Sequence, residues 1–330
     1  ISQVAGLSYD SRTYNLLACA FKSGTNAVQF ERVRVFDLQR MQTPDGVMNR
    51  INNVADLQLG VVCDQRGAGH IAFVTMAPAS GRDVRLLTVD METGREDYRE
   101  FGFALTPGVY DAADGIRAAA SSLASASVWI EGSTFGNRLR CAVSLAGAST
   151  VWQTVTVREN KEAAVRAVDV AVDGTNIWVF WVEQRNNAEV ARLYLSLLNT
   201  NGVFLDGRDS ATDGIPVSYV NVNADSGIAC DLLDTDNPIA MRRILVAWTT
   251  DGAVYARRVS ATTGAILDGT YETAPLALSS GSATDARDVA VKANGVNRYL
   301  VAWSDNRTAT DYDVYGCRVQ ALDGDIVDLP

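Results

Sequence analysis

One motif recurs along this chain in a fixed register, and that recurrence constrains the fold more than any other feature. Trp178-Val179-Phe180-Trp181-Val182-Glu183-Gln184-Arg185 reappears as Leu300-Val301-Ala302-Trp303-Ser304-Asp305-Asn306-Arg307, where both the Trp pair and the Arg pair lie 122 residues apart. Gly202 and Asp206 lie at that same separation from Gly324 and Asp328. A second pairing sets Ile244-Leu245-Val246-Ala247-Trp248 against Tyr299-Leu300-Val301-Ala302-Trp303. Beyond it, Val254-Tyr255-Ala256-Arg257-Arg258-Val259 matches Val314-Tyr315-Gly316-Cys317-Arg318-Val319 at an offset of 60, which also carries Gly264 to Gly324 and Asp268 to Asp328. Weaker copies lie at Asp83 to Val89, Arg32 to Phe36 and Leu139 to Val143. Six copies in 330 residues give 55 residues each, a blade-sized unit.

Each copy reads as four strands. An opening run ends in an acid, as at Asp10, Asp64, Asp173 and Asp231, which reads as a turn-closing residue. A continuous apolar run follows, Ile244 to Trp248 being typical, fit for a strand buried on both faces. The third run alternates and so offers one side to polar surroundings; a Gly-containing turn leads to a fourth, more polar run such as Ile215 to Val220. No stretch carries a capped helical period. A four-stranded unit with two apolar faces cannot cover either face alone, so copies must stack against one another. The expectation is a single all-β domain, a β-propeller with four-stranded antiparallel blades. Its six blades fall near 1–53, 54–110, 111–160, 161–224, 225–284 and 285–330, with a seventh if the diverged region 97–160 hides another unit. The equivalent Trp181, Trp248 and Trp303 read as packing between blades.

The run Tyr299 to Arg307, followed by Asp313-Val314-Tyr315-Gly316-Cys317-Arg318-Val319, resembles a divergent propeller repeat of bacterial surface and secreted proteins and of phage structural proteins. The resemblance implies the propeller fold, a non-catalytic role, and a virion, extracellular or cell-surface setting; it transfers no active site. The last copy stops at Asp328-Leu329-Pro330 without a fourth run, so the sixth blade is expected to lack its outer strand near Pro330. A flanking segment or a neighbouring subunit would then complete it by strand addition. The first residue, Ile1 rather than Met, suggests a processed product or a piece of a longer chain.

Composition excludes several functions. A net charge of -10 repels phosphate backbones and anionic lipid, so nucleic acid is not the expected partner and membrane insertion is not expected. No apolar run is long enough for a membrane-spanning helix. Cys19, Cys63, Cys141, Cys230 and Cys317 are widely spaced within apolar stretches and form no CxxC pair, so they read as reduced core thiols.

Catalytic chemistry finds little support. His70 is the one histidine, no GxSxG elbow occurs, and Gly67-Ala68-Gly69 precedes a strand rather than a helix, which fails the dinucleotide fingerprint. A glycan hydrolase or lyase would have to draw on acids such as Asp10, Asp64, Asp173, Asp231, Glu183 and Asp305. No cofactor is expected. Calcium has weak candidate ligands in Asp231, Asp234 and Asp236, with Asn237 beside them and Asp311 and Asp313 forming a second group, though the spacing is not that of an EF-hand. Asn306-Arg307-Thr308 matches the glycosylation sequon. The function expected from the sequence is a non-catalytic structural or recognition propeller bound to protein subunits of a larger assembly, a virion protein or surface adhesin, with a surface glycan as a further ligand.

Overall fold

Alternation of β-branched and aromatic residues with Asp-Gly and Gly-containing turns favours strands. The computed structural model describes residues 3–10, 15–21, 27–34, 50–52, 54–63, 68–77, 81–91, 96–104, 112–133, 136–145, 152–160, 163–185, 191–207, 214–218, 227–233, 242–279, 285–307 and 311–328. Among the described residues there are 23 strands and no helix, hence no helix long and apolar enough to cross a membrane. They form six antiparallel meanders.

The chain divides into two compact units, residues 1–156 with 200–202, and 157–199 with 203–330. In the first lie β1 (Gln3–Asp10), β2 (Asn15–Phe21), β3 (Ala27–Arg34) and β4 (Arg50–Asn52), then β5 (Val54–Cys63), β6 (Ala68–Ala77), β7 (Gly81–Asp90) and β8 (Glu96–Ala104). The third sheet joins β9 (Ala112–Ala120), β10 (Ala124–Ser133), β11 (Gly136–Leu145) and β12 (Trp152–Asn160), the last strand running across the division at Thr156. Within this unit β1 runs beside β5, and β5 beside β9. The first strand of each sheet thus neighbours the first strand of the next.

The second unit repeats that plan. Its sheets are β13 (Ala163–Asp173), β14 (Asn176–Arg185), β15 (Arg192–Asn199) and β16 (Ile215–Ser218); β17 (Ile228–Leu233), β18 (Arg243–Thr250), β19 (Ala253–Ser260) and β20 (Leu276–Ala277); and β21 (Arg287–Ala293), β22 (Arg298–Asp305) and β23 (Asp313–Gln320). Again β13 lies beside β17 and β17 beside β21. The sixth sheet has three strands among the described residues.

Packing between sheets supplies the core. Trp178, Phe180, Leu193 and Leu195 of the fourth sheet meet Ile228, Ile244, Val246 and Trp248 of the fifth, all buried. On its other face the fifth sheet offers Leu245, Ala247, Val254 and Ala256 to Tyr299, Val301, Trp303 and Cys317 of the sixth. Successive residues of β18 therefore serve opposite interfaces, which is why its sequence is apolar without a break from Ile244 to Trp248. Trp181 is fully buried too and stacks on Tyr194, with ring centroids 5.8 Å apart. A Cβ on Gly214 would come 2.4 Å from its ring, so only glycine lets the chain pass there.

The recurrent Gly and Asp close one defined turn. Gly202, Gly264 and Gly324 adopt φ of 74°, 74° and 84°, conformations costly for other residues. Past them, Phe204, Ile266 and Ile326 bridge back to Leu198, Val259 and Val319. The Asp four positions after each glycine then reaches the strand. Asp206 accepts from the Leu197 N–H at 3.2 Å, Asp268 from the Arg258 N–H at 2.6 Å, and Asp328 from Arg318 Nε at 3.0 Å. In one respect the third strand departs from expectation. Arg257 and Arg258 of β19 are both buried, since their guanidinium groups find the carbonyls of Asp268 and Ala321, at 2.8 and 3.0 Å, instead of solvent.

Face-to-face burial sets the scale of stability. Trp248 is fully enclosed between the fourth and fifth sheets, so Trp248→Ala should cost about 3–5 kcal/mol. Urea denaturation of the full chain reads this directly, and a loss below about 1 kcal/mol would contradict the packing described.

Candidate functional site

The acids offered by the sequence are the natural place to look for chemistry, and the structure engages Asp173, Asp231, Glu183 and Asp305 in contacts of its own. Asp231 lies inside β17, not in a turn. Its Oδ2 accepts the Ala293 N–H of the sixth sheet at 2.7 Å and stands 3.0 Å from Lys292 Nζ. One sheet earlier, Asp169 of β13 does the same, accepting the Cys230 N–H of β17 at 2.7 Å. In the first unit Ser8 Oγ of β1 accepts the Cys63 N–H of β5 at 2.8 Å. Three polar side chains thus tie the first strand of one sheet to the first strand of the next. Asp173, at the end of β13, is buried and pairs with Arg242 at 2.6 Å. The turn-closing role expected of Asp231 is replaced by a bond between sheets, its carboxylate reaching the backbone of Ala293 rather than its own loop, whereas Asp173 ends its strand directly before the Gly174 turn. Asp10 ends β1, and Asp64 lies outside the described residues.

A second set of acids sits two residues after a tryptophan. Glu183 is 1 % exposed, takes Arg158 through Nε and Nη2 at 2.6 and 2.7 Å, and accepts the Trp181 indole N–H at 3.1 Å. Glu131 accepts the Trp129 indole N–H at 2.9 Å and pairs with Arg138. Asp305, fully buried, binds Arg307 through Oδ2 at 3.0 and 2.9 Å, and Arg307 lies 3.6 Å over the Tyr315 ring. Its side chain is one methylene shorter, and the Trp303 indole N–H has no hydrogen-bond partner among the described residues. In Trp248-Thr249-Thr250 the acid is absent, and the Trp248 N–H likewise has no partner among the described residues. The repeated Trp-x-acid spacing was readable in the sequence and marks these pairs; Asp169 and Ser8 carry no comparable signal.

Lysine fills the space where Asp231 would meet a cation, and Asp234, Asp236 and Asn237 lie outside the described residues. Asp311 and Asp313 are exposed, and among the described residues no three metal-ligating side chains come together. His70 belongs to β6, where its ring meets Trp152 edge-on at 5.8 Å. Of the sequon, Thr308 lies outside the described residues. All five cysteines are buried and none is in a disulfide. Burial pushes the thiols of Cys19 and Cys141 up to about 12 and that of Cys317 to about 11, against an ordinary 9.0.

Exposed polar groups gather instead on the sixth sheet. Arg287 grips Asp285 through Nε and Nη2 at 2.9 and 2.7 Å and lies 5.3 Å over the Tyr312 ring, whose hydroxyl also donates to Asp285. These bonds hold the Asp285 carboxyl below its usual range and raise the Tyr312 phenol. Beside them Asp288 takes φ of 53° at the bulge of β21 and accepts from Ser304 Oγ at 3.0 Å. This cluster offers a planar cation, an aromatic face and carboxylate acceptors to a ligand.

No known family profile and no curated protein sequence matches the chain. Among solved structures, a prolyl endopeptidase is similar over the whole chain at 12% identity and a TM-score of 0.56, and the chain spans 41% of that protein. The six-bladed fucose lectin of Aleuria aurantia is similar over the whole chain and 96% of its own length, at 9% identity and a TM-score of 0.50. An α-L-arabinofuranosidase of Fusarium graminearum covers 96% of the chain and 93% of itself, at 8% identity and a TM-score of 0.54. The fold is a six-bladed β-propeller. At such identities the likeness carries the fold alone; the described residues of the diverged region 97–160 belong to the second and third of six sheets.

Two outcomes follow from the buried groups. Glu183→Ala strands the Arg158 guanidinium inside the protein and should cost about 3–5 kcal/mol, while the double change Glu183→Leu with Arg158→Met should recover much of it. Full additivity of the two single losses in denaturant titrations would count against this pair. The raised thiols require native protein to stay protonated where the unfolded chain ionises. Their contribution to stability is whole below pH 9.0 and is lost as pH rises toward about 12. The urea midpoint should therefore fall from pH 9 to 11, and native protein at pH 8 should leave a thiol-specific dye unreacted until denaturant is added; rapid labelling of folded protein would oppose it.

Proposed function

We propose that this propeller is a non-catalytic structural or recognition module of a larger assembly, of the virion or cell-surface kind. One observation carries the reading: the acids at recurrent strand positions are consumed by structure. Asp169 and Asp231 hold backbone amides of the next blade, and Asp173, Glu183, Glu131 and Asp305 hold arginines. A general acid or nucleophile must reach substrate, and a carboxylate engaged with an arginine or with the next blade's backbone is poorly placed for that task. The duplicated Trp, Gly and Asp positions serve blade packing, and the exposed polar surface on the last blade, around Arg287 and Tyr312, suits contact with another molecule better than bond cleavage. The resemblance of the repeats to bacterial surface and phage structural proteins supports the same role.

Incubation with a panel of plant, fungal and bacterial polysaccharides tests the proposal, with reducing ends or unsaturated products as the readout. No turnover is expected. Cleavage that disappears in Asp285→Asn or Asp313→Asn, with the melting temperature unchanged, would replace the proposal with a glycan-acting enzyme.

A further inference from the structure

In the third, fourth and sixth sheets the second strand carries a tryptophan two residues before an acid, and alternation sets both on one side of the strand. The first two of these pairs close directly. Glu131 divides its oxygens, Oε1 taking the Trp129 indole N–H at 2.9 Å and Oε2 taking Arg138. Glu183 accepts the Trp181 indole N–H at 3.1 Å and holds Arg158 as well. The third pair, Trp303 and Asp305 on β22, does not close. Both residues are buried, with Trp303 in the layer against Leu245, Ala247 and Val254 of the fifth sheet. Yet Trp303 Nε1 and Asp305 Oδ1, a donor and an acceptor, each have no hydrogen-bond partner among the described residues.

Side-chain length accounts for the difference. Asp305 gives Oδ2 to Arg307, as Glu131 gives Oε2 to Arg138, and so keeps Oδ1 for the part that Oε1 of Glu131 plays. Aspartate is one methylene shorter than glutamate, which draws that oxygen back by about 1.5 Å. A contact of about 3 Å then becomes a separation of about 4.5 Å, too long for a hydrogen bond but the span of donor, water and acceptor. An internal water needs two or more polar partners, and these two atoms supply a hydrogen to accept and a lone pair to receive one. Burial without it would forfeit hydrogen bonds that both groups make to solvent in the unfolded chain.

We propose that the sixth sheet holds one ordered water molecule between Trp303 and Asp305, accepting the indole N–H and donating to Oδ1. The water completes the link from tryptophan to acid to arginine that the glutamates of the third and fourth sheets make unaided. It is a binding site inside the fold, and it stands whatever the propeller recognises at its surface.

Solution NMR of the full chain with isotope-labelled tryptophan tests this through the six indole N–H signals. Trp129→Phe, Trp181→Phe and Trp303→Phe each remove one signal and so assign it. Magnetisation transfer from water is recorded in the rotating frame, where dipolar contact and proton exchange have opposite signs. The Trp303 indole hydrogen should show dipolar transfer from a long-lived water, and those of Trp129 and Trp181 should show none. Asp305→Glu supplies the reach that the sister acids have, so the transfer at Trp303 should vanish while the melting temperature holds or rises. A crystal structure should place a water oxygen about 3 Å from both Trp303 Nε1 and Asp305 Oδ1. No transfer at Trp303, equal transfer at all three indoles, or a signal that survives in folded Asp305→Glu would each overturn the site. The comparison of the three indoles in the unaltered chain decides the matter even if the glutamate variant fails to fold.

Discussion

The packing depends on one constraint: the fourth and fifth sheets are oily on both sides. The strand Ile244 to Trp248 shows it best, with alternate residues buried against the fourth blade and against the sixth. At roughly 25 cal/mol per Å² of apolar surface removed from water, a tryptophan or leucine in such a layer outweighs a single hydrogen bond worth about 1 kcal/mol net. Burial therefore holds the blades together, and polar contacts decide the register in which they meet. Asp169 and Asp231 illustrate the second role. A carboxylate bonded to the N–H of the adjoining first strand fixes how far one sheet slides along another, which apolar packing alone leaves loosely specified.

Much of this was legible in the sequence because duplication writes the same physical need in the same letters. Gly202, Gly264 and Gly324 had to be glycine for a left-handed turn, and the Asp four residues later had to return to the strand; a constant offset exposed both. The continuous apolar runs announced strands with two covered faces, and the tryptophans announced the layers between them. The direction of the opening acids was not legible. Sequence alignment matches Asp231 with Asp173, but strand pairing sets Asp231 opposite Leu245 as Ala171 is set opposite Trp178. The slip of two residues is invisible without the register of the partner strand, and it turns a supposed turn-closer into a bond to the next blade. The burial of Arg257 and Arg258 escaped for a related reason: an alternating run predicts a polar face, and only the fold shows carbonyls waiting there.

The buried acids also explain how the repeat tolerates divergence. Glu131, Glu183 and Asp305 share one position relative to a tryptophan, yet their arginines come from three different places. Arg138 lies on the neighbouring strand, Arg158 at the end of β12, and Arg307 two residues along the same chain. A buried carboxylate demands a cation, and the sequence meets that demand with whichever arginine geometry allows. Where the acid is replaced, as in Trp248-Thr249-Thr250, the need for an arginine disappears with it. Selection of this form acts on neutralising charge inside a core.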